Sequence, residues 1–151
     1  MRRTLSSIMV LTLCSAPGFA QSIQNPVAAI QRSHIDANVP ATQDFRTLMQ
    51  RDLLDYARAS IADSATSVEY ELLREQPTQS GVAYPKYYAW IKVRAGSEVL
   101  REGAVRVAAI ERKRFDVTDF VSSEQIRSSS DRIDRTFPAS LVATILARAA
   151  P

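Results

Sequence analysis

The 151-residue chain has little of what most enzymes rely on. It carries one cysteine (Cys14), one histidine (His34) and four glycines (Gly18, Gly81, Gly96 and Gly103) that do not cluster. Scattered glycines exclude a phosphate-cradling loop, which requires several within a few residues. A lone histidine has no convergent partners for holding a metal, and no Gly-x-Ser-x-Gly elbow supplies a serine nucleophile. His34 therefore reads as a solvated loop residue, and no catalytic residue, metal or cofactor is expected.

Long apolar runs are scarce too. The mainly apolar stretch from Leu5 to Leu13 falls short of the ~20 residues that a bilayer core requires. It follows Arg2-Arg3 and precedes Pro17-Gly18, and Gly18-Phe19-Ala20 puts small residues where a signal peptidase reads. These are the three parts of a cleavable secretory signal over residues 1–20, with cleavage between Ala20 and Gln21. The expected location is periplasmic or secreted. Cys14 follows the bulky Leu13, which argues against lipid attachment, and Thr4-Leu5-Ser6 fits a twin-arginine signal poorly.

Removing that segment leaves 17 of the 19 Lys+Arg against 16 Asp+Glu, so the formal charge falls from +3 to about +1. A nucleic-acid binder carries a clustered basic footprint, so nucleic acid is not an expected partner. No cysteine remains, which excludes disulfides and thiol chemistry. The domain must be held by its core, and at this length folding buries roughly two-thirds of the chain's surface. That suffices for one domain.

What is present divides into a polar lead-in, residues 21–41, and a domain, 42–151. In the lead-in, Asn25-Pro26 suits the cap and first residue of a short helix through Ile30. From Thr42, placed as the N-cap, the apolar residues Phe45, Leu48, Met49, Leu53, Tyr56, Ala57 and Ile61 recur at helical steps. The period then changes to two. Val68, Tyr70 and Leu72 alternate with Glu69 and Glu71; a second strand runs from Tyr84 to Arg94; Ala95-Gly96-Ser97 turns into a third, Val99 to Glu111. Phe115, Val117 and Phe120 extend this last strand past a basic bend. Ser122 and Gln125 have capping-box spacing, Ser128 to Asp131 reads as a loop, and Phe137-Pro138 opens a last helix through Ala149.

The predicted class is α+β: a long N-terminal helix packed on a curved antiparallel sheet of three or four strands, followed by a C-terminal helix, in two layers. Over residues 42–121 the order of elements resembles the broad cystatin-like and nuclear-transport-factor-like group, which implies a helix lying against a curved sheet. Double-stranded-RNA-binding domains share the order, but their lysine-bearing final helix is absent from Phe137-Pro138-Ala139-Ser140-Leu141.

Three groups are candidates for function. Tyr84, Tyr87, Tyr88 and Trp90 lie within seven residues. Alternation directs Tyr88, Trp90, Lys92 and Arg94 to one face, and aromatics beside arginine suit a binding patch. The competing reading makes Tyr88 and Trp90 a second core layer under the C-terminal helix. Glu69 and Glu71 share a strand face ~7 Å apart, a spacing that acid-base pairs use and that polar strand faces show equally. Arg112-Lys113-Arg114 reads as a solvated turn or a contact for an anionic surface. The leading expectation is a non-enzymatic exported domain that engages another protein or an envelope component through Tyr88, Trp90, Lys92 and Arg94. The alternative is a ligand-binding or acid-base domain with a pocket between the first long helix and the sheet, worked by Glu69, Glu71 or Tyr70.

Overall fold

A computed structural model describes residues 25–151. The proposed signal and its Ala20/Gln21 junction lie outside these residues. Among the described residues no helix is long and apolar enough to cross a membrane.

The elements are α1 (Pro26–Asn38), α2 (Thr42–Ser60), β1 (Ser67–Leu72), β2 (Lys86–Ala95), β3 (Glu98–Ile110), β4 (Arg114–Ser122), α3 (Ser123–Ser128), α4 (Asp131–Thr136) and α5 (Ala139–Ala149). The α+β class holds. The strands form one antiparallel sheet in the order β1-β2-β3-β4, each joined to its sequence neighbour. The basic bend separates two strands, so Phe115 and Val117 belong to β4.

Two cores lie on opposite faces of this sheet. On one, Met49, Leu53 and Ala57 of α2 meet Val68, Tyr87, Ala89, Ile91, Val93, Val105 and Val107, all buried. Phe45 adds edge-on ring contacts to Tyr87 and Phe115 at centroid distances of 5.0 and 4.9 Å, a favoured aromatic geometry. On the other face, Tyr88, Trp90, Ala104 and Val121 are covered by Ile126, Ile133, Phe137, Leu141 and Ile145. The domain therefore has three layers, helix, sheet and helices, where two were expected. Beside the expected last helix, α3 and α4 add Ile126 and Ile133 to this layer from six residues each, too few to show a helical period in the sequence.

Local chemistry sets the boundaries. Asn25 Oδ1 accepts from Val27 N–H at 3.0 Å with Pro26 at the first turn, so the expected cap is correct. The helix it opens runs on to Asn38, however, and His34 sits on it rather than in a loop. At α2 the N-cap is Ala41 with no side-chain hydrogen bond, and Thr42 is already helical. The capping box forms as its spacing predicts: Gln125 N–H donates to Ser122 Oγ, and Ser122 N–H to Gln125 Oε1. Of the expected loop from Ser128 to Asp131 only Ser129 and Ser130 are non-helical, because α3 ends at Ser128 and α4 begins at Asp131.

Candidate binding trough beside the first strand

Strand alternation places Tyr88, Trp90, Lys92 and Arg94 on one face, as expected, but it does not expose them together. Tyr88 and Trp90 are each 5% exposed, and the Tyr88 hydroxyl bonds to Thr78 Oγ1 at 2.8 Å. The expected outward aromatic patch is thus corrected: α3, α4 and α5 cover it. One sequence signal pointed this way. Tyr87 to Ile91 is apolar on every residue, the mark of a strand buried on both faces.

Burial ends where α5 ends, and there charge takes over. Glu69, Glu71, Trp90, Lys92, Glu102 and Arg148 line an open trough of about 450 Å³, with Tyr70 at its side. Antiparallel register assembles it, since Glu69 lies opposite Lys92, Glu71 opposite Trp90, and Lys92 opposite Glu102. Lys92 Nζ is 3.8 Å from Glu102 Oε2. Arg94 Nε donates to Glu69 Oε1 at 2.7 Å and its Nη1 to Ser97 O at 3.1 Å. Arg148, in the last turn of α5, grips Glu71 with both Nη atoms, Nη1 reaching Oε2 at 2.8 Å.

That grip shifts the chemistry. The hydrogen bonds from Arg148, aided by its charge, hold the Glu71 carboxyl below the usual carboxylate range. At neutral pH Glu71 is an ionised acceptor, poorly suited to general-acid work. The two carboxylates that shared a face in the sequence do share it, each committed to an arginine. Arg148 and Glu102 are the trough residues that sequence reasoning missed. Arg148 lies 77 residues from its partner, and only the packing of α5 brings them together.

The centre of the interface between α2 and the sheet is filled by the fully buried Met49, Leu53 and Ala57, and along its β4 side Asp52, Asp55, Tyr56, Phe115 and Asp116 line a cleft of about 390 Å³. At one end of the interface Val39, Pro40, Phe45, Leu72 and Tyr87 line a cleft of about 350 Å³. Tyr70, half-buried against this core, has its phenol pushed up by desolvation. Arg112-Lys113-Arg114 forms the exposed β3–β4 turn and start of β4, with Arg114 paired to Asp116 at 3.1 Å. Among the described residues no three His, Cys, Asp or Glu side chains converge as a metal site.

Comparison with family models, with curated proteins and with solved structures finds no match for the chain.

Proposed function

We propose that the protein is an exported, non-enzymatic binding domain that engages another protein or an envelope component through the trough beside β1. The observation that carries this reading is the trough's composition. It is open, walled by charges of both signs, and floored by the edge of Trp90, while its Glu69 and Glu71 are held by arginines. Such a surface offers recognition without a free acid, base or nucleophile. The filled helix–sheet interface favours a surface site over an internal pocket. Export rests on the signal-like residues 1–20.

Lys92 and Arg94 remain as site residues, and Trp90 serves as a buried floor. The test is crosslinking and pull-down from a bacterial envelope fraction with wild type and a Glu69→Lys/Glu71→Lys variant. Both side chains are more than half exposed, so the variant should fold, and circular dichroism checks that it does. Partner recovery should fall about tenfold or more, as expected when like charges replace complementary ones. A folded variant that retains every partner would sink the site. Tyr88 and Trp90 are left intact because truncating a core aromatic costs roughly 3–5 kcal/mol and would confuse stability with binding.

A further inference from the structure

We infer that the outer edge of β1 takes up an extended segment of the partner as a fifth strand, with basic side chains over Glu69 and Glu71 and apolar ones over Tyr70 and Leu72. The inference rests on the trough being the binding surface and adds what occupies it.

Hydrogen-bond phase opens this edge. Leu73 N–H donates to Tyr88 O at 2.8 Å, and the register continues from Leu72 opposite Ala89 down to Ser67 opposite Arg94. Bonded pairs in an antiparallel ladder fall on every second residue, so Ser67, Glu69 and Glu71 bond to β2. The N–H and C=O groups of Val68, Tyr70 and Leu72 point outward. No strand lies beyond β1 among the described residues. The group that reaches this row is the Gln50 amide, 3.4 Å from Val68 O. The opposite edge is treated differently: α2 supplies Asp52 to Phe115 N–H at 2.7 Å and Arg51 to Lys113 O at 3.1 Å.

Depressions flank the open edge on both faces. The charged trough lies on one side, and on the other, at the Leu72 end, lies the cleft lined by Phe45, Leu72 and Tyr87 together with Arg46 and Glu75. Successive side chains of an added strand point to alternate faces, so every second residue meets one depression. On the trough face the neighbours are Glu69 and Glu71, whose side chains are 61% and 65% exposed. Arg94 and Arg148 hold them from the inner side, and their solvent-facing side favours Lys or Arg over Asp or Glu in a neighbouring strand, since opposite charges across strands stabilise and like charges oppose. The same rule disfavours a second copy, because antiparallel β1–β1 pairing centred on Tyr70 would set Glu69 against the other copy's Glu71.

The probe is a labelled octapeptide of alternating lysine and valine, titrated against the full protein by fluorescence anisotropy. Valines opposite Val68, Tyr70 and Leu72 would turn their N–H groups toward β1. Methylating the valine nitrogens should therefore weaken binding about fivefold per lost hydrogen bond, while methylating the lysine nitrogens should leave it nearly unchanged. Hydrogen exchange should show protection of the Tyr70 and Leu72 amides on binding. Four outcomes would overturn the inference. They are no binding, equal effects of the two methylations, equal binding of a block peptide with all its lysines before all its valines, or self-association that protects those amides without peptide. If Glu69→Lys/Glu71→Lys loses its envelope partners and the peptide fails, the trough reading stands and the strand inference falls. If that variant keeps its partners, the trough reading itself falls.

Discussion

Gly103 shows how tightly single residues are fixed where β3 meets the end of β4. A Cβ there would lie 2.3 Å from Val121 O and 2.7 Å from Ser122 Cα, both backbone atoms that cannot rotate away. Gly103→Ala should therefore destabilise by about 2–3 kcal/mol, the upper range for overpacking, read as a lower urea midpoint with an unchanged slope. The β3–β4 turn has the opposite problem. Its central residues Glu111 and Arg112 have φ of 50° and 61°, a region that costs residues with a Cβ roughly 1–2 kcal/mol each. The turn is held by Lys113 N–H to Ile110 O at 3.0 Å and by buried Asn38, whose Oδ1 accepts from Glu111 N–H at 3.1 Å. Arg112→Gly should raise stability by about 0.5 kcal/mol, since glycine's greater unfolded-state entropy offsets part of the relief. A fall in the melting midpoint would contradict that account.

At the scale of elements, α5 does two jobs: Leu141, Ile145 and Ala149 bury its inner side, and Arg148 pins its last turn to β1 through Glu71. The pin depends on an ionised carboxylate. Because the folded Glu71 titrates below its ordinary value, its contribution is full above the unfolded glutamate range near ~4.3. It fades as pH falls through the lower folded value. Acidification should therefore loosen the end of α5 before the sheet, seen as lower amide protection factors at Arg148 and Ala149; Glu71→Gln should show that lower protection already at neutral pH and no further change with acid. Protection factors that stay constant with pH in the wild type would mean that apolar packing alone holds α5. Elements of this kind differed in how legible they were. α2 was readable because one helical face repeats over its nineteen residues, and β2 and β3 because two long runs rich in aromatic and β-branched residues flank a short Gly-containing turn. The helix through Ile30 was read too short, and α4 was missed, because six residues with one buried isoleucine make less than two turns of pattern. The trough was half legible. Strand alternation gave Glu69 and Glu71 a shared face and did the same for Lys92 and Arg94. That the two pairs meet depends on register, and Arg148 arrives from a distant helix.

For the whole molecule, the question that sequence left even, binding patch or second core, is decided by what the sheet carries on both faces. β2 gives Tyr87, Ala89, Ile91 and Val93 to the α2 core and Tyr88 and Trp90 to the C-terminal core. The strands at the centre of one core are the strands at the centre of the other. Unfolding either layer exposes the back of the same strands, so neither core should survive alone. The chain contains one tryptophan, Trp90, which reports on the C-terminal core, whereas far-ultraviolet circular dichroism reports on the helices of both faces. In urea the two signals should trace one transition with a common midpoint and slope, the mark of two-state unfolding in a domain of this size. Tyr87, buried in the α2 core and pushed up to about 12 by desolvation, supplies a third probe. Its raised value means stability is complete below the ordinary tyrosine range near ~10 and declines as pH rises toward about 12. Alkaline unfolding should therefore release the Tyr87 phenolate and change Trp90 fluorescence together. A fluorescence change that precedes loss of the helical signal, in urea or in base, would show α3–α5 detaching as a unit. Tyr88 and Trp90 would then be a covered surface that can open, and the exposed-patch reading would return in dynamic form.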